Sequence, residues 1–263
     1  MIPKVIHYCW FGGNKKSRLI QKCIKSWKKY CPDFEIREWN EQNFDVHSHP
    51  YVAQAYEAKK WAFVSDYARH WILYEHGGVY LDTDVELIKP IEPLLEHNVL
   101  GLEDNQQVNS GLIAACPKGD WLCKEMLESY DQDVFVRPDG TLNLTTVCQR
   151  EEKILEEKYG FQPKPEIQQV KDYRIYPSEY FCPFGYTVNV GVTQNTYSIH
   201  HYVASWWTEE EKRYHKIQAK KEKLRTKYGE KAVRLYCIWL GVRENGLLWA
   251  LKRLAGKGRR EKE

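Results

Sequence analysis

The stretch SDYARHWILYEHGGVYLDTD, residues 65–84, determines the fold of this 263-residue chain. Its first half continues a helical pattern that starts near residue 53, and Gly77-Gly78 ends that helix as a glycine C-cap. The apolar run Val79-Tyr80-Leu81 then predicts a short buried strand. A helix that passes through two glycines into a buried strand indicates an α/β domain.

The residues before this stretch extend the same pattern. Residues 3–10 predict a buried strand, residues 17–30 an amphipathic helix, and residues 34–39 a strand with apolar side chains at every other position. Because strands and helices alternate over the first eighty residues or so, the sequence predicts an α/β sheet with parallel strands. Residues 86–200 are less regular.

Two carboxylates, Asp82 and Asp84, stand directly after the buried strand. In an extended chain residues i and i+2 face the same side, so both side chains can bind one hard cation. Ligands of open α/β sheets bind beyond the carboxyl ends of the strands, and a divalent ion there would hold a diphosphate. The spacing alone is weak, because Asp131-Gln132-Asp133 has it too and is interpreted as solvated surface. The position after a strand makes the first pair the candidate metal site.

Asp66 and Arg69 lie three residues apart on the preceding helix and therefore share one face. They form either a local ion pair, worth roughly a few tenths of a kcal/mol, or part of a ligand site. The helix around them is apolar nearly all round, and burying a charged pair is costly unless a partner compensates. The sequence therefore favours a functional role for both.

The formal net charge of +3 hides an uneven distribution. Residues 1–211 carry 22 basic and 31 acidic side chains, a balance of −9, whereas residues 212–263 carry 17 basic and 5 acidic, a balance of +12. A hydrophobic content of 43% and an aromatic content of 14% predict one sizeable core. This composition excludes collagen-like, coiled-coil and globally disordered proteins.

The eight cysteines include no C-x-x-C pair and follow no zinc-finger spacing. We therefore predict free, mostly buried thiols and no structural zinc site. The N-terminal residues lack the long apolar stretch of a signal peptide, and no window reaches the ~20 apolar residues that span a bilayer. These features predict a protein of the reducing cytosol.

Three motifs together resemble family 32 glycosyltransferases, which include yeast mannosyltransferases and bacterial capsular-polysaccharide transferases, and the catalytic core of the large glucosylating toxins. Residues 65–84 are similar to the family's helix with Ser-Asp-x-x-Arg, followed by Gly-Gly-x-Tyr and a strand that ends in Asp-x-Asp. Residues 4–12, KVIHYCWFG, match the opening strand. Residues 199–206, IHHYVASW, resemble the closing His-x-x-x-Ser-Trp element.

The resemblance implies a GT-A fold, a Rossmann-like α/β domain that binds a nucleotide-sugar, over residues 1–208, with a C-terminal helical extension over residues 209–263. It implies a UDP- or GDP-sugar donor, a Mn²⁺ or Mg²⁺ ion, and a saccharide or lipid-linked saccharide as acceptor. Family members mostly retain the anomeric configuration, which implies front-face attack with the leaving phosphate as proton acceptor.

The resemblance also implies a role for each side chain that matches a family position. Trp10 would stack on the base, Asp66 would hydrogen-bond the ribose or the sugar, and Arg69 would contact the sugar side of the donor. Asp82 would contact ribose, sugar and metal-bound water, and Asp84 would bind the metal directly. Asn109 would lie near the transferred sugar, and Ser205 and Trp206 would close over the β-phosphate. Either His200 or His201 would reach the metal or the diphosphate, and the spacing to Ser205 and Trp206 favours His201. The alternative for this segment is a strand end with a core tryptophan.

The basic tail has two parts. Residues 209–228 predict a charged, solvated helix, and residues 231–254 combine tryptophan and aliphatic side chains with lysine and arginine. The second part either lies on an anionic membrane surface or packs its apolar face on the acidic body, and we favour the membrane. This predicts a peripheral protein on the cytoplasmic face of the plasma membrane. Nucleic-acid binding is not expected, because the body is acidic and no recognition module is present.

The sequence thus predicts a metal-dependent, retaining glycosyltransferase that builds a cell-surface or capsular polysaccharide. One alternative is a metal-dependent nucleotidyltransferase acting on sugar phosphates, which would also use paired aspartates on a diphosphate. Another is a non-catalytic module that binds a sugar nucleotide or a membrane. The intact Asp82 and Asp84 argue against the second alternative.

Overall fold

The computed structural model of the chain describes residues 1–103, 106–185, 190–203 and 209–246. The chain divides into two compact units, Met1–Trp206 and Trp207–Glu263. The first unit contains the sheets described below, and the described residues of the second form two helical stretches.

A seven-stranded sheet forms the centre of the first unit, with the strand order β2-β1-β3-β6-β5-β8-β7. A second sheet pairs β4 with β9. The strands are β1 (Val5–Cys9), β2 (Glu35–Trp39), β3 (Gly78–Tyr80), β4 (Val85–Leu87), β5 (Asn98–Gly101), β6 (Ala114–Cys116), β7 (Gln168–Val170), β8 (Tyr173–Tyr176) and β9 (Ser198–His200). The helices of this unit are α1 (Arg18–Tyr30), α2 (Pro50–Glu57), α3 (Trp61–His76), α4 (Trp121–Glu128) and α5 (Val147–Tyr159), with short 3₁₀ turns at Glu92–Leu94 and Ser178–Tyr180.

The central sheet is mixed. β1 runs parallel to both β2 and β3, as the sequence predicts. β6 is antiparallel to its neighbours β3 and β5, and β7 is antiparallel to β8. The predicted α/β class is confirmed, whereas the expectation of parallel strands holds for the first three strands and for the β5–β8 pair.

Two clusters of buried apolar side chains lie on opposite faces of this sheet. In β1, Ile6 and Tyr8 belong to one cluster and Cys9 to the other, and in β3, Val79 and Tyr80 divide in the same way. Because successive side chains of a strand point to opposite faces, this division places a core above and below the sheet. Because both faces are covered, a ligand site is expected at the carboxyl ends of the strands.

The helices differ from the sequence prediction at two places. The single pattern expected from residue 53 to residue 76 is divided into α2 and α3, with Lys59 between them at φ 57, a left-handed conformation that stops the first helix. Helix α5 is not predicted, although Thr146 and Gln149 form a capping box at its start. Gly160, also left-handed, ends α5.

The second unit contains helix α6 (Glu209–Asn245). Gly229, with φ 77 and ψ 179, interrupts it and separates two helical stretches. Among the described residues, no helix combines the length and the apolar character that a membrane crossing requires. Residues 247–254 of the predicted membrane-binding segment lie outside the described residues.

Candidate active site

The carboxyl ends of β1, β2 and β3 meet at one edge of the sheet, because these three strands are parallel. Asp82 follows β3 by two residues, and its backbone N–H donates to the carbonyl oxygen of Gly111 at 2.8 Å. Asp84 stands directly before β4, and Trp10 directly follows β1. The fold thus gathers at one edge side chains that lie far apart in the sequence.

Asp82, Asp84 and His200 form the candidate metal centre. Each offers one ligand atom, and these three atoms lie within 4.8 Å of one another. The pairing of β4 with β9 brings His200 there, since Val85 and His200 are partners in the antiparallel register. Two carboxylates and an imidazole suit a divalent ion such as Mn²⁺, so the residues present fit the predicted group.

The structure places the two histidines of the doublet beside different carboxylates, and this arrangement favours His200 over the predicted His201. Nε2 of His200 lies 3.2 Å from Oδ1 of Asp84, whereas Nε2 of His201 lies 2.8 Å from Oε2 of Glu86. Consecutive residues of an extended chain face opposite sides, so only one histidine of the doublet can face Asp84. The register of β9 with β4 places His200 beside Asp84. The spacing to Ser205 and Trp206 favoured His201 and does not reflect this strand pairing.

Asp84 is held in its ionised form. Burial alone would raise its pKa, but the neighbouring His200 and the backbone N–H of Val203, which donates to Oδ2 at 2.7 Å, outweigh burial and lower the pKa to about 2. Burial lowers the pKa of His200, but the charge of Asp84 outweighs it and raises that pKa above its ordinary value. A permanently charged carboxylate at a sheet edge is the ligand that a divalent cation needs.

Arg69 links the two acidic positions that the sequence analysis treats separately. Its Nη2 lies 2.9 Å from Oδ1 of Asp66 and 3.3 Å from Oδ1 of Asp82. Its Nη1 donates to Oγ of Ser110 at 3.4 Å, and its guanidinium lies 4.8 Å from the ring centre of Tyr80. The Asp66–Arg69 ion pair predicted as one alternative is present, and it extends to Asp82. The interpretation of the pair as part of a ligand site stays a prediction.

Asp66→Asn is expected to remove a pH dependence from the stability of the protein. Burial raises the pKa of Asp66 from its ordinary 3.8 to about 6. The folded form binds the additional proton, so the stabilising contribution is complete below pH 3.8 and is lost as the pH rises through 6. Over this range the free energy of unfolding of the wild type should fall relative to the variant by up to about 3 kcal/mol. Urea denaturation at several pH values measures this difference, and parallel pH profiles would contradict it.

The turn Asn109-Ser110-Gly111 closes the site beside Asp82. Oδ1 of Asn109 accepts the N–H of Gly111 at 2.6 Å, and its Nδ2 donates to Oε1 of Glu103 at 2.5 Å. A Cβ on Gly111 would lie 2.1 Å from Oδ2 of Asp82. Position 111 therefore needs glycine for space. Sequence reasoning named Asn109 but missed Gly111, Glu103 and Ser110.

Trp10 lines a cavity of about 330 Å³. The cavity lies between the loop that follows β1 and the C-terminal end of β2 with the loop after it. Its indole N–H donates to the carbonyl oxygen of Asn14 at 2.7 Å, and Nζ of Lys16 lies 5.2 Å from the centre of its ring. The other lining residues are Gly13, Glu38, Asn40, Glu41 and Gln42. The remaining predicted donor contacts, Ser205 and Trp206, lie outside the described residues.

A second group of possible ligands, Cys116, Asp120 and Cys123, lies in the core. Oδ1 of Asp120 accepts the N–H groups of Leu122 and Cys123 at the start of α4 and also the hydroxyl of Tyr173. Burial raises the pKa of the Cys123 thiol well above its ordinary value, which disfavours the thiolate that a metal requires. Capping of α4 accounts for Asp120 without a metal.

Residues 17–100 match the family model described as "Glycosyltransferase sugar-binding region containing DXD motif". The matched range contains Asp66 and Arg69, and its DXD motif corresponds to Asp82-Thr83-Asp84. The match covers the elements from α1 to β5 and therefore the part of the fold that carries both aspartates of the candidate metal centre.

Two yeast enzymes are similar to this chain. Inositol phosphoceramide mannosyltransferase 1 of Schizosaccharomyces pombe is 30% identical over 156 residues, which cover 52% of this chain and 46% of that protein. Mannosyl phosphorylinositol ceramide synthase SUR1 of Saccharomyces cerevisiae is 25% identical over 147 residues, with coverages of 52% and 37%. The chain thus spans less than half the length of either relative.

Among solved structures, the PaToxG glycosyltransferase is similar at a TM-score of 0.46 and 19% identity, over 60% of this chain and 70% of that one. The match to the DXD region and the two curated relatives confirm, at the level of the shared region, the prediction of a glycosyltransferase.

Proposed function

We propose that this protein is a metal-dependent glycosyltransferase of the GT-A type that moves a hexose from a nucleotide-sugar to a saccharide or lipid-linked acceptor. The observation that carries the proposal is the convergence of Asp82, Asp84 and His200 within 4.8 Å at the carboxyl edge of the sheet. Arg69, which lies 3.3 Å from Asp82, fixes the orientation of that carboxylate. Family 32 is the glycosyltransferase family whose motifs this arrangement fits.

Asp84, Asp82 and His200 would hold Mn²⁺ or Mg²⁺ in this site. When bound, the ion supplies positive charge that stabilises the diphosphate as it leaves. Trp10 stacks on the base, while Asp66 and Arg69 hold the ribose and sugar side of the donor. Asn109 would lie near the transferred sugar. The family resemblance assigns the β-phosphate to Ser205 and Trp206, which lie outside the described residues.

Transfer breaks the bond between the anomeric carbon and the β-phosphate oxygen and forms a bond from the anomeric carbon to an acceptor hydroxyl oxygen. The hydroxyl proton passes to an oxygen of the leaving phosphate. Acceptor and leaving group then occupy the same face, and the anomeric configuration is retained. NMR of the product tests this point, and an inverted anomer would contradict it.

The donor is a UDP- or GDP-hexose. Both curated relatives carry mannose in their names, so mannose is the first sugar to test. Both names also contain a ceramide lipid, which supports an acceptor attached to a lipid. The product would be a cell-surface or capsular polysaccharide, assembled on the cytoplasmic face of a plasma membrane.

A panel of nucleotide-sugars with Mn²⁺ tests the proposed activity. We expect the protein to transfer or hydrolyse at least one donor, and to lose that activity when EDTA is added and recover it with Mn²⁺. A donor labelled in both sugar and nucleotide separates the alternatives, because a nucleotidyltransferase would pass on the nucleotidyl group. A protein that binds donors but turns over none would be a non-catalytic module.

The second stretch of α6 supports binding to an anionic membrane surface. Leu235, Ile238 and Trp239 are all exposed and share one face of the helix, at the spacing i, i+3, i+4. The guanidinium of Arg243 lies 5.4 Å from the centre of the Trp239 ring. Exposed apolar side chains next to a cation suit the boundary between lipid headgroups and acyl chains.

We expect the combined change Leu235→Ser, Ile238→Ser and Trp239→Ser to weaken binding to vesicles that contain anionic lipid by at least about 10-fold, because three apolar side chains no longer enter the interface. Sedimentation with vesicles measures the bound fraction. The control is Tyr228→Ser, which removes an exposed aromatic ring on the other side of Gly229. Equal binding by the triple variant and the wild type would contradict the proposed membrane surface.

A further inference from the structure

Glu151 is a buried carboxylate on α5 to which the proposed reaction gives no role. Its side chain has no exposed surface. Oε2 accepts the backbone N–H of Ser110 at 3.1 Å, and Oε1 lies 3.1 Å from Nε2 of His70, which is itself buried on α3. A carboxylate, a histidine and a turn of the candidate site therefore meet inside the core.

Such a group is costly to bury. A carboxylate in the protein interior destabilises the fold unless hydrogen bonds or a charged partner compensate. One turn further along α5, the buried positions are filled by the apolar side chains of Ile154 and Leu155, which need no such compensation. Glu151 provides an acceptor for the N–H of Ser110, and an apolar side chain cannot do so.

Ser110 connects this acceptor to the reacting edge of the sheet. Its hydroxyl accepts a hydrogen bond from Nη1 of Arg69 at 3.4 Å. The next residue, Gly111, accepts the backbone N–H of Asp82 through its carbonyl oxygen at 2.8 Å. Fixing the turn at Ser110 thus fixes both the guanidinium and the backbone of the carboxylate that it orients.

We propose that Glu151 is a positioning residue: it anchors the turn of residues 109–111 from the core and thereby sets the places of Arg69 and Asp82. The inference rests on the proposed glycosyltransferase function.

Three variants test this role. Glu151→Ala removes the acceptor, and we expect kcat/KM for donor turnover to fall by about 100-fold, chiefly through kcat, as a displaced catalytic group would produce. Glu151→Gln has nearly the same size and keeps an oxygen that can accept the N–H of Ser110. We expect it to stay within about 5-fold of the wild type. Ile154→Ala, one turn further along α5, destabilises the same helix without touching the turn and should leave kcat/KM unchanged.

Hydrogen exchange gives a readout that does not depend on activity. We expect peptides that cover residues 109–112 to exchange at least about 10-fold faster in Glu151→Ala than in the wild type, and at the wild-type rate in Ile154→Ala. Equal losses of kcat/KM in Glu151→Ala and Ile154→Ala, or unchanged exchange in Glu151→Ala, would overturn the positioning role. A wild-type protein that turns over no donor would instead overturn the proposed function, and the exchange of the turn would still decide the role of Glu151.

Discussion

Replacing Asp84 with asparagine is expected to lower kcat/KM for donor turnover by about 10³-fold, since stabilisation of a leaving diphosphate by a metal is worth several kcal/mol. Asparagine has nearly the same size, and its carbonyl oxygen can still accept the N–H of Val203 that Oδ2 accepts now. The change therefore removes the negative charge and leaves the local fold in place. The pKa of about 2 means that this charge is present throughout the neutral range.

Titration with Mn²⁺ at fixed donor concentration separates this effect from misfolding. The variant should need a much higher Mn²⁺ concentration for half-maximal activity, and circular dichroism in EDTA checks that it is folded at the assay temperature. Asp131→Asn is the matched control, because Asp131 belongs to the other Asp-x-Asp pair of the chain and its side chain is 61% exposed. Full activity in Asp84→Asn would show that the metal is bound elsewhere or not needed.

Gly111→Ala should produce the second large effect. A Cβ at this position would lie 2.1 Å from Oδ2 of Asp82 and 2.8 Å from Oδ1 of Asn109, so the carboxylate must move. Movement of Asp82 also breaks its contact with Arg69, and we expect kcat/KM to fall by about 100-fold. Steady-state kinetics with the best donor of the panel gives the measurement.

Two controls show whether the carboxylate carries this loss. In Gly101→Ala the new Cβ meets the ring of Phe181 at 2.7 Å, so this variant should lose stability and keep its catalytic constants. In the Asp82→Ala background, Gly111→Ala should cost much less than in the wild type, because the carboxylate that the new Cβ meets most closely is already absent. Independent, additive losses would show that Gly111 acts through another contact.

Local sequence predicted the parts of the fold that depend on neighbouring residues. Helix α1 follows from its apolar face and from Ser17, whose side chain accepts the N–H of Ile20. The position of Asp82 and Asp84 after β3 follows from the apolar run that precedes them. The antiparallel insertion of β6 between β3 and β5 does not, because pairing between distant strands leaves no periodic signal in either strand.

In the candidate site, too, contacts within one element could be predicted from the sequence, whereas contacts between distant elements could not. The ion pair of Asp66 and Arg69 is predictable from helical spacing, but its extension to Asp82 depends on how α3 lies against β3. The choice of His200 depends on the register of β9 with β4, and the need for glycine at 111 depends on a side chain 29 positions earlier. The capping box of Thr146 and Gln149 was a usable signal for α5, and Glu151 follows it within the same helix.

The pairing of β4 with β9 also orders events during synthesis of the chain. Asp84 and His200 are separated by 116 residues, and the register of three residues on each strand joins them. At about 5–20 residues per second, the ribosome needs roughly 6–23 s to make the intervening segment. The aspartates therefore leave the ribosome long before their histidine, and a nascent chain that stops short of β9 carries two carboxylates without the third ligand. The proposed donor site is thus complete only when translation of the first unit is almost finished.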